Sequence, residues 1–457
     1  MANLPNGPKD PAWLQLIQWI LDPLNYLESN AEKYGDMFTT HMMGFPPFVM
    51  VSHPQAVREI FNADLRQFEA GRTNGILMSL LGDNSIVGLD GDRHRRERKL
   101  LMPPFHGERL QTYSQSICNI TKEITKEWQT SQPFVIRQTM QQITLEVIIQ
   151  VIFGIKEGER YQELKPLVGD MLDSLASPLE ASFMFFKFLQ KPWIPNSPWQ
   201  KMKQQSAKID QLLQAEIDER HRNPELMGED ILSLMMQAKD EAGEPMSDQE
   251  LKDELMTLLV AGHETTATAL AWAFYWIHHL PKVKEKLLTE LSQCQGKTDP
   301  MQVARLPYLN AVCQETLRLY PVGLVTFGRI TNSPVEIRGY QFDRDVMLAP
   351  CIYLTHQRED LYPNPKQFKP ERFLERQYTA SEFYPFGGGN RLCIGYALAQ
   401  LEIKLVLATI LSNYQLSLVK EQNIKPQRRG FTLAPSNGVK MVMEQQIVPQ
   451  KQHVSVS

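Results

Sequence analysis

A single cysteine, Cys393, stands where its sulfur could hold a metal. It lies in Phe386-Gly387-Gly388-Gly389-Asn390-Arg391-Leu392-Cys393-Ile394-Gly395-Tyr396-Ala397, between a glycine-rich turn and a strongly apolar stretch. That stretch, Tyr396 to about Leu411, reads as a helix, so the sulfur sits at a helix N-terminus. A thiolate there gains from the positive end of the helix dipole and from the unpaired N–H groups of the first turn. Such a setting lowers a thiol's pKa and makes the sulfur a metal ligand. Glycines on both sides let a large flat ligand approach the backbone closely. Arg391, two residues before the sulfur, can reach a carboxylate on that ligand. The plainer alternative is a buried cysteine in a glycine-rich loop, the usual fate of a lone cysteine.

The pattern Phe-x-x-Gly-x-Arg-x-Cys-x-Gly resembles the haem-binding loop of the cytochromes P-450, and Phe386, Gly389, Arg391, Cys393 and Gly395 match its fixed positions. The resemblance implies heme b (iron protoporphyrin IX), with the Cys393 thiolate as axial ligand of the metal.

A second candidate stretch is Ala261-Gly262-His263-Glu264-Thr265-Thr266. It falls inside Asp248–Leu280, which can be one helix because Pro281 is the first stop after Gly262. At 1.5 Å per residue such a helix is ~50 Å long and crosses a whole domain. Gly262 costs about 1 kcal/mol against alanine in a helix, which room for a ligand could offset. Thr265 can hydrogen-bond upstream carbonyls and open the helix ladder. The stretch resembles the oxygen-binding groove of the same family. By that resemblance Gly262 makes room for O2, Thr265 hydrogen-bonds the distal oxygen and Glu264 relays protons from solvent.

Glu315 and Arg318 lie three apart, on one face of a helix Leu309–Tyr320. The apolar neighbours Val312, Leu317 and Leu319 make that helix largely buried, where charges must be paired. A third partner is Arg372 in Phe368-Lys369-Pro370-Glu371-Arg372-Phe373. The two segments resemble the family's Glu-x-x-Arg helix and Pro-Glu-Arg-Phe segment, which implies a structural network fixing the approach to the cysteine loop. His94 and Arg98, four apart in the helix opened by Gly91, share a face. The resemblance gives both a haem propionate, together with Arg391 and Arg329. Arg93, Arg95, Arg96 and Lys99 are expected to face outward, a solvated face or a docking surface for an acidic redox partner.

The resemblance draws a substrate cavity from Asn74–Leu89, Met171–Phe188, the central helix, Val322–Phe327 and a tail hairpin near Leu433-Ala434. Its wall residues are Ile76, Leu77, Ala261, Val322, Leu324, Val325 and Leu433, with Phe183, Phe185 and Phe186 in the second stretch. Apolar walls favour an apolar substrate, at ~25 cal/mol per Å² buried. For any one of these residues, ordinary core packing is the competing reading.

The elements that must position these residues follow from the rest of the chain. Its 457 residues suffice for a large core, and a net charge of −4 points away from nucleic acid. Five cysteines form no paired framework, as in a reducing cytosol. No apolar run reaches the ~20 residues that span a bilayer. The nearest, Trp13 to Leu21, is read as packed on the body, with peripheral membrane contact as the alternative. Pro23–Tyr34 reads as a helix, Met37–Met43 and Pro47–Ser52 as strands, and Pro54 to about Asn62 as a helix. Arg66–Leu89 reads as irregular, and helical patterns dominate from Arg93 to Tyr320. Short strands and hairpins follow, around Gly430 and Pro435–Gly438 in the tail. The expected architecture is mainly α: one P-450 domain over 1–457, a triangular helical body with a minor β-rich lobe (roughly 36–60 plus 325–350), the haem-binding loop at 386–395 and no fused reductase.

The function expected is a haem-thiolate monooxygenase. It would hydroxylate or epoxidise a small hydrophobic substrate such as a fatty acid, alkane or terpene, using O2 and a ferredoxin-type donor with its own NAD(P)H reductase. The overall look resembles soluble bacterial members, including cyanobacterial ones, so a cytoplasmic monomer is expected, with loose membrane association as the variant. The rivals are a peroxide-using peroxygenase or isomerase of the same family and a non-enzymatic haem sensor or lipid binder. Intact Glu264 and Thr265 argue against both.

Overall fold

The computed structural model describes residues 4–176, 197–294, 299–420 and 422–447, apart from the side chains of Leu65, Ile76 and Ala176. Its axis is the helix Asp248–His279. Ser247 accepts from the backbone N–H of Glu250 while the Glu250 carboxylate accepts from the Ser247 N–H, a reciprocal cap that fixes the start. Leu280 leaves helical geometry and Pro281 opens the next helix, Pro281–Ser292. Thirty-two residues give ~48 Å of rod. From Thr266 to Phe274 every side chain is buried, so this part is wrapped on all sides.

The central helix packs on Ile136–Val147, Pro307–Leu319, the helix Tyr396–Asn413 that follows Cys393, and the strand Thr432–Pro435. Trp272 pins that strand, donating from Nε1 to the Leu433 carbonyl at 2.8 Å. Ile136–Val147 runs on into a π-helical turn, Ile148–Ile152, facing the central helix.

The β-rich lobe is a five-stranded sheet in the order Met37–Thr40, Phe48–Val51, Met347–Pro350, Arg329–Thr331, Phe68–Glu69. Its second and third strands are parallel and the other pairings antiparallel, so the start of the chain is joined to residues near 330–350. Four of the strands fall within 36–60 and 325–350, and the fifth, Phe68–Glu69, lies outside both. Val49, Val51, Val57, Ile60 and Leu348 fill its core. The helices Pro23–Tyr34 and Pro54–Asn62 also lie where the sequence put them.

Two expectations change. Residues 66–89 are not wholly irregular: Gly75–Leu81 is a helix, stopped by Gly82 at φ +88°. The tail holds one hairpin, Pro426–Arg429 with Thr432–Pro435. The last strand, Lys440–Gln446, pairs instead with Tyr414–Leu418 and Pro133–Val135. The N-terminal segment is a helix, Ala12–Leu21, seated through Gln15, which accepts from the Tyr26 hydroxyl and the His41 N–H. Trp13, Ile17, Ile20 and Leu21 remain exposed on its other face. Among the described residues no helix is long and apolar enough to cross a membrane.

Candidate functional site

The cysteine turn is held by its own backbone. The Cys393 N–H donates to the Phe386 carbonyl at 3.0 Å and the Leu392 N–H to Gly389 at 3.2 Å. Gly387 and Gly389 take φ +72° and +63°, where a side chain is strained. The glycines serve the protein rather than a ligand on one side of the sulfur. A Cβ at Gly388 would stand 2.3 Å from the Phe61 ring, and one at Gly389 2.4 Å from the Phe61 carbonyl oxygen. On the other side, a Cβ at Gly395 would meet nothing within 4 Å. Cys393 is solvent-accessible although protein atoms crowd around it, the condition of a group on the floor of a cleft. Burial pushes its thiol pKa up, while the Gly395 backbone N–H and the Arg98 charge pull it down.

Four basic side chains from three separate segments converge beside this turn. Arg98 donates to the Leu392 carbonyl at 2.8 Å, one residue from the sulfur. Arg391 donates to the Leu89 carbonyl at 2.6 Å and pairs with Asp90. Arg329 donates to the Phe327 and Gly388 carbonyls at 3.0 and 3.3 Å. His94 is buried among them: desolvation first, then the charges of Arg391, Arg98 and Arg329, lower its pKa to about 3. Desolvation and the Arg391 charge likewise lower Arg329 to about 9. Three guanidinium charges face one carboxylate here, so about two positive charges in this partly buried cluster are bonded to carbonyl oxygens but lack an anionic partner. A porphyrin with two propionates supplies that neutralisation, and a thiolate at a helix start supplies its axial ligand. The residues present therefore fit a haem.

On the central helix, Ala261 is exposed, and the Thr265 hydroxyl donates to its carbonyl at 2.6 Å. Gly262 is turned elsewhere: a Cβ there would meet Ile148 of the π-helical turn at 3.4 Å. Ala261 and Thr265, four apart, share one face of the helix, and Gly262 lies on the side that meets Ile148. Glu264 is not free in solvent. It pairs with Arg137, whose side chain is 4% exposed, and accepts from Gln141 at 3.3 Å. Its neighbour His263 turns inward and bonds the Thr144 hydroxyl at 2.9 Å.

Glu315 accepts from Arg318 Nε and Nη2 at 2.6 and 2.8 Å, from Arg372 Nε at 3.1 Å and from the Lys369 N–H at 2.7 Å. All three charged side chains are buried, and Arg318 also reaches the His356 carbonyl at 2.8 Å. The expected triad is therefore assembled.

The expected cavity wall divides. Leu77 and Val322 are partly buried against the main core, and Leu324 and Val325 against the N-terminal cluster. Leu433 is 3% exposed and packed on the central helix, whereas Phe431 at the hairpin tip is 50% exposed. The Ile76 side chain and residues 177–188, with Phe183, Phe185 and Phe186, lie outside the described residues. The outer members of the basic run face outward as expected, Arg93, Arg95 and Lys99 being exposed and Arg96 half-buried, and each also has a partner: Arg93 with Asn84, Arg95 with Asp92, Arg96 with Glu97, Asp240 and Glu250, and Lys99 with Glu241.

Sequence reasoning missed Asp90, Arg137, Gln141 and Glu402. Asp90 accepts from the Ala70 and Gly71 N–H groups as well as from Arg391. Glu402 lies in the cysteine helix, buried, with Oε1 unpartnered, and burial raises its pKa to about 8. A charged residue inside an otherwise apolar run was the available signal for Glu402, and nothing in the spacing marks the others.

A sequence profile described as Cytochrome P450 matches residues 5–441. A putative cytochrome P450 135B1 of Mycobacterium tuberculosis is 33% identical over 447 residues, covering 96% of this chain and 91% of that protein. A putative cytochrome P450 138 of Mycobacterium bovis is 31% identical over 449 residues, 97% of each. In fold, a cyanobacterial CYP120A1 solved with retinoic acid bound superposes with a TM-score of 0.83 at 24% identity, covering 98% of this chain and 100% of that one. The haem domain of cytochrome P450DA also gives 0.83, at 22% identity and 98% of each chain.

Proposed function

The chain belongs to the cytochrome P450 family, whose members are haem-thiolate monooxygenases, and on that premise we propose that it hydroxylates or epoxidises a small apolar molecule such as a fatty acid, alkane or terpene. Electrons would come from a separate ferredoxin-type donor. The observation that carries the site assignment is the meeting of Cys393 with the partly uncompensated cluster His94, Arg98, Arg329 and Arg391.

When bound at Cys393, a haem supplies dioxygen activation, because the thiolate's electron release favours O–O cleavage. The chain's own groups do the rest. Arg98, Arg329 and Arg391, with neutral His94, would hold the propionates of the haem. Thr265 presents a hydroxyl from the groove face of the central helix. Glu264 would relay protons between solvent and the site, and Arg137 and Gln141 hold its carboxylate toward Ile136–Val147. A shift of the carboxylate from one helix face to the next, ~100° around the axis, separates that position from Thr265. Leu77, Ala261, Val322, Leu324 and Val325 present apolar surface to the substrate and exclude water. Glu315, Arg318 and Arg372 keep the approach to the cysteine turn rigid.

Carbon monoxide added to the reduced holoprotein tests the assignment. The haem band should move to the red-shifted position peculiar to sulfur ligation, and Cys393→His should convert it to the nitrogen-ligated type. Folded wild-type protein with a nitrogen-type spectrum would refute it. The presence of both Glu264 and Thr265 favours reductive use of O2 over direct use of peroxide. Product formation from peroxide at the reductase-driven rate would reverse that preference.

A further inference from the structure

The tail hairpin, Pro426–Arg429 with Thr432–Pro435, reaches the central helix close to Thr265. The Thr268 hydroxyl donates to the Thr432 hydroxyl at 3.5 Å, and Thr268 lies less than one turn beyond Thr265. Arg428 stands opposite Leu433 across the hairpin, and Arg429 opposite Thr432. Opposed side chains share a face and successive ones alternate. Arg429 therefore lies on the Thr432 face. Burial and the Arg137 charge lower its pKa there, and Glu264 and Asp173 oppose them. Arg428 lies on the other face, with Leu433.

Arg428 is half-buried, and its guanidinium sits 5.8 Å from the centroid of the Trp19 ring. Trp19 packs on the same small cluster as Leu324 and Val325, two residues of the apolar wall. Arg428 Nε donates to the Gly430 carbonyl at 3.3 Å and Nη1 to the Trp19 carbonyl at 3.2 Å. Both bonds are longer than is usual for N–H to oxygen. They occupy two of the five N–H groups of the side chain. Among the described residues no carboxylate pairs with it, and burial alone lowers its pKa. The buried arginines outside the cysteine cluster are different, since Arg137, Arg220, Arg318 and Arg372 each hold a carboxylate. The half-buried Arg96, Arg160 and Arg358 do the same. A partly desolvated cation is costly until an anion reaches it. The planar fork of a guanidinium fits a carboxylate with two parallel bonds.

We propose that Arg428 binds the carboxylate of the substrate, which makes the substrate a long-chain carboxylic acid oxidised away from its acid end. The acid group sits against Trp19 on the Leu433 face. The apolar chain runs past Leu324 and Val325 toward Thr265. The inference rests on the monooxygenase reading and narrows it, since an alkane or a simple terpene brings no anion to Arg428.

The test uses the haem-loaded full chain. Dodecanoic, tetradecanoic and hexadecanoic acids are titrated against the alcohols of equal length at neutral pH, and the shift of the haem band gives Kd. Wild type should bind at least one acid about tenfold more tightly than its alcohol, the size of one hydrogen bond to a charged group at a half-buried site. Arg428→Gln should lose that preference and bind the alcohol as wild type does. Arg428→Lys keeps the charge without the fork and should fall between the two. Product analysis should place the new hydroxyl on the half of the chain away from the acid. Equal binding of acid and alcohol by wild type overturns the proposal, as does an acid preference that survives in Arg428→Gln or a hydroxyl placed beside the carboxylate. If Arg428→Gln does not load haem, the wild-type comparison and Arg428→Lys still decide. The carbon monoxide spectrum keeps two failures apart. A thiolate-type spectrum without acid preference removes the anchor alone, and a nitrogen-type spectrum removes the monooxygenase reading.

Discussion

Glu315→Gln is the substitution that weighs most on this fold. Its carboxylate is fully buried and accepts four hydrogen bonds, two from Arg318, one from Arg372 and one from the Lys369 N–H. Glutamine keeps the shape but loses the charge, and its amide nitrogen faces donors. Arg318, at 0% exposure, and Arg372, at 5%, are then buried cations bonded only to carbonyl oxygens. Breaking a buried pair from one side costs about 3–5 kcal/mol. That is a large share of the ~5–15 kcal/mol that holds a typical protein together. Urea unfolding should show it as a midpoint lower by roughly 1–2 M, with a lower haem-to-protein ratio after purification. Glu315→Met with Arg318→Met should lose less than the two single variants summed, because the stranded Arg318 charge is gone. An unfolding free energy for Glu315→Gln within about 0.5 kcal/mol of wild type would refute the reasoning.

Thr265→Ala removes only a hydroxyl bonded to its own helix, so stability and haem content should hold while electrons divert from product to hydrogen peroxide. The ratio of product to NAD(P)H consumed reads this, and unchanged coupling would contradict the proton-delivery role. Arg137→Met leaves Glu264 with Gln141 alone. It should cost about 1–3 kcal/mol, less than a fully buried pair because Glu264 is 14% exposed, and a double-mutant cycle with Glu264→Gln that closes to zero would show the two act independently. Glu402→Gln should alter the pH dependence of stability. Burial raises the folded-state pKa from 4.5 to about 8, so the native state keeps a proton that the unfolded chain loses. Stability from this group is full below pH 4.5 and is lost as pH rises through about 8, at up to about 1.4 kcal/mol per unit. The variant's unfolding curve should match wild type near pH 4 and become the more stable of the two above it; parallel curves from pH 4 to 8 would contradict the burial of that carboxyl.

The elements were legible where one local rule decided them. Ser247, Glu250 and Pro281 bound the central helix, and Pro23, Gly35 and Pro54 bound the N-terminal elements. The Gly75–Leu81 helix was hidden because it is one short apolar run between glycines, where periodicity has little length to act on. The tail pairing was hidden because Lys440–Gln446 finds its partners at Tyr414–Leu418 and Pro133–Val135, one of them some 300 residues away. Of the site, the sulfur and the Glu315 triad could be read because each resembles a family motif of few residues at fixed spacing, whereas the place of Arg329 in the basic cluster came from the resemblance alone. Arg137 and Asp90 could not, since each is defined by a contact across the fold with Glu264 or Arg391.

Gly262 shows how a residue can be singled out while the physical reason for it lies elsewhere. A glycine inside a buried helix signals close approach, but it does not say of what. Here the neighbour is Ile148, at 3.4 Å from a notional Cβ, in the π-helical turn that ends Ile136–Val147. That same helix carries Arg137 and Gln141, the two partners of Glu264, and Thr144, the partner of His263. Gly262 thus faces the turn that ends the helix holding Glu264. An added methyl at Gly262 would reach ordinary van der Waals contact with Ile148, so Gly262→Ala should leave the seat of Arg137 and the Ala261 and Thr265 face in place.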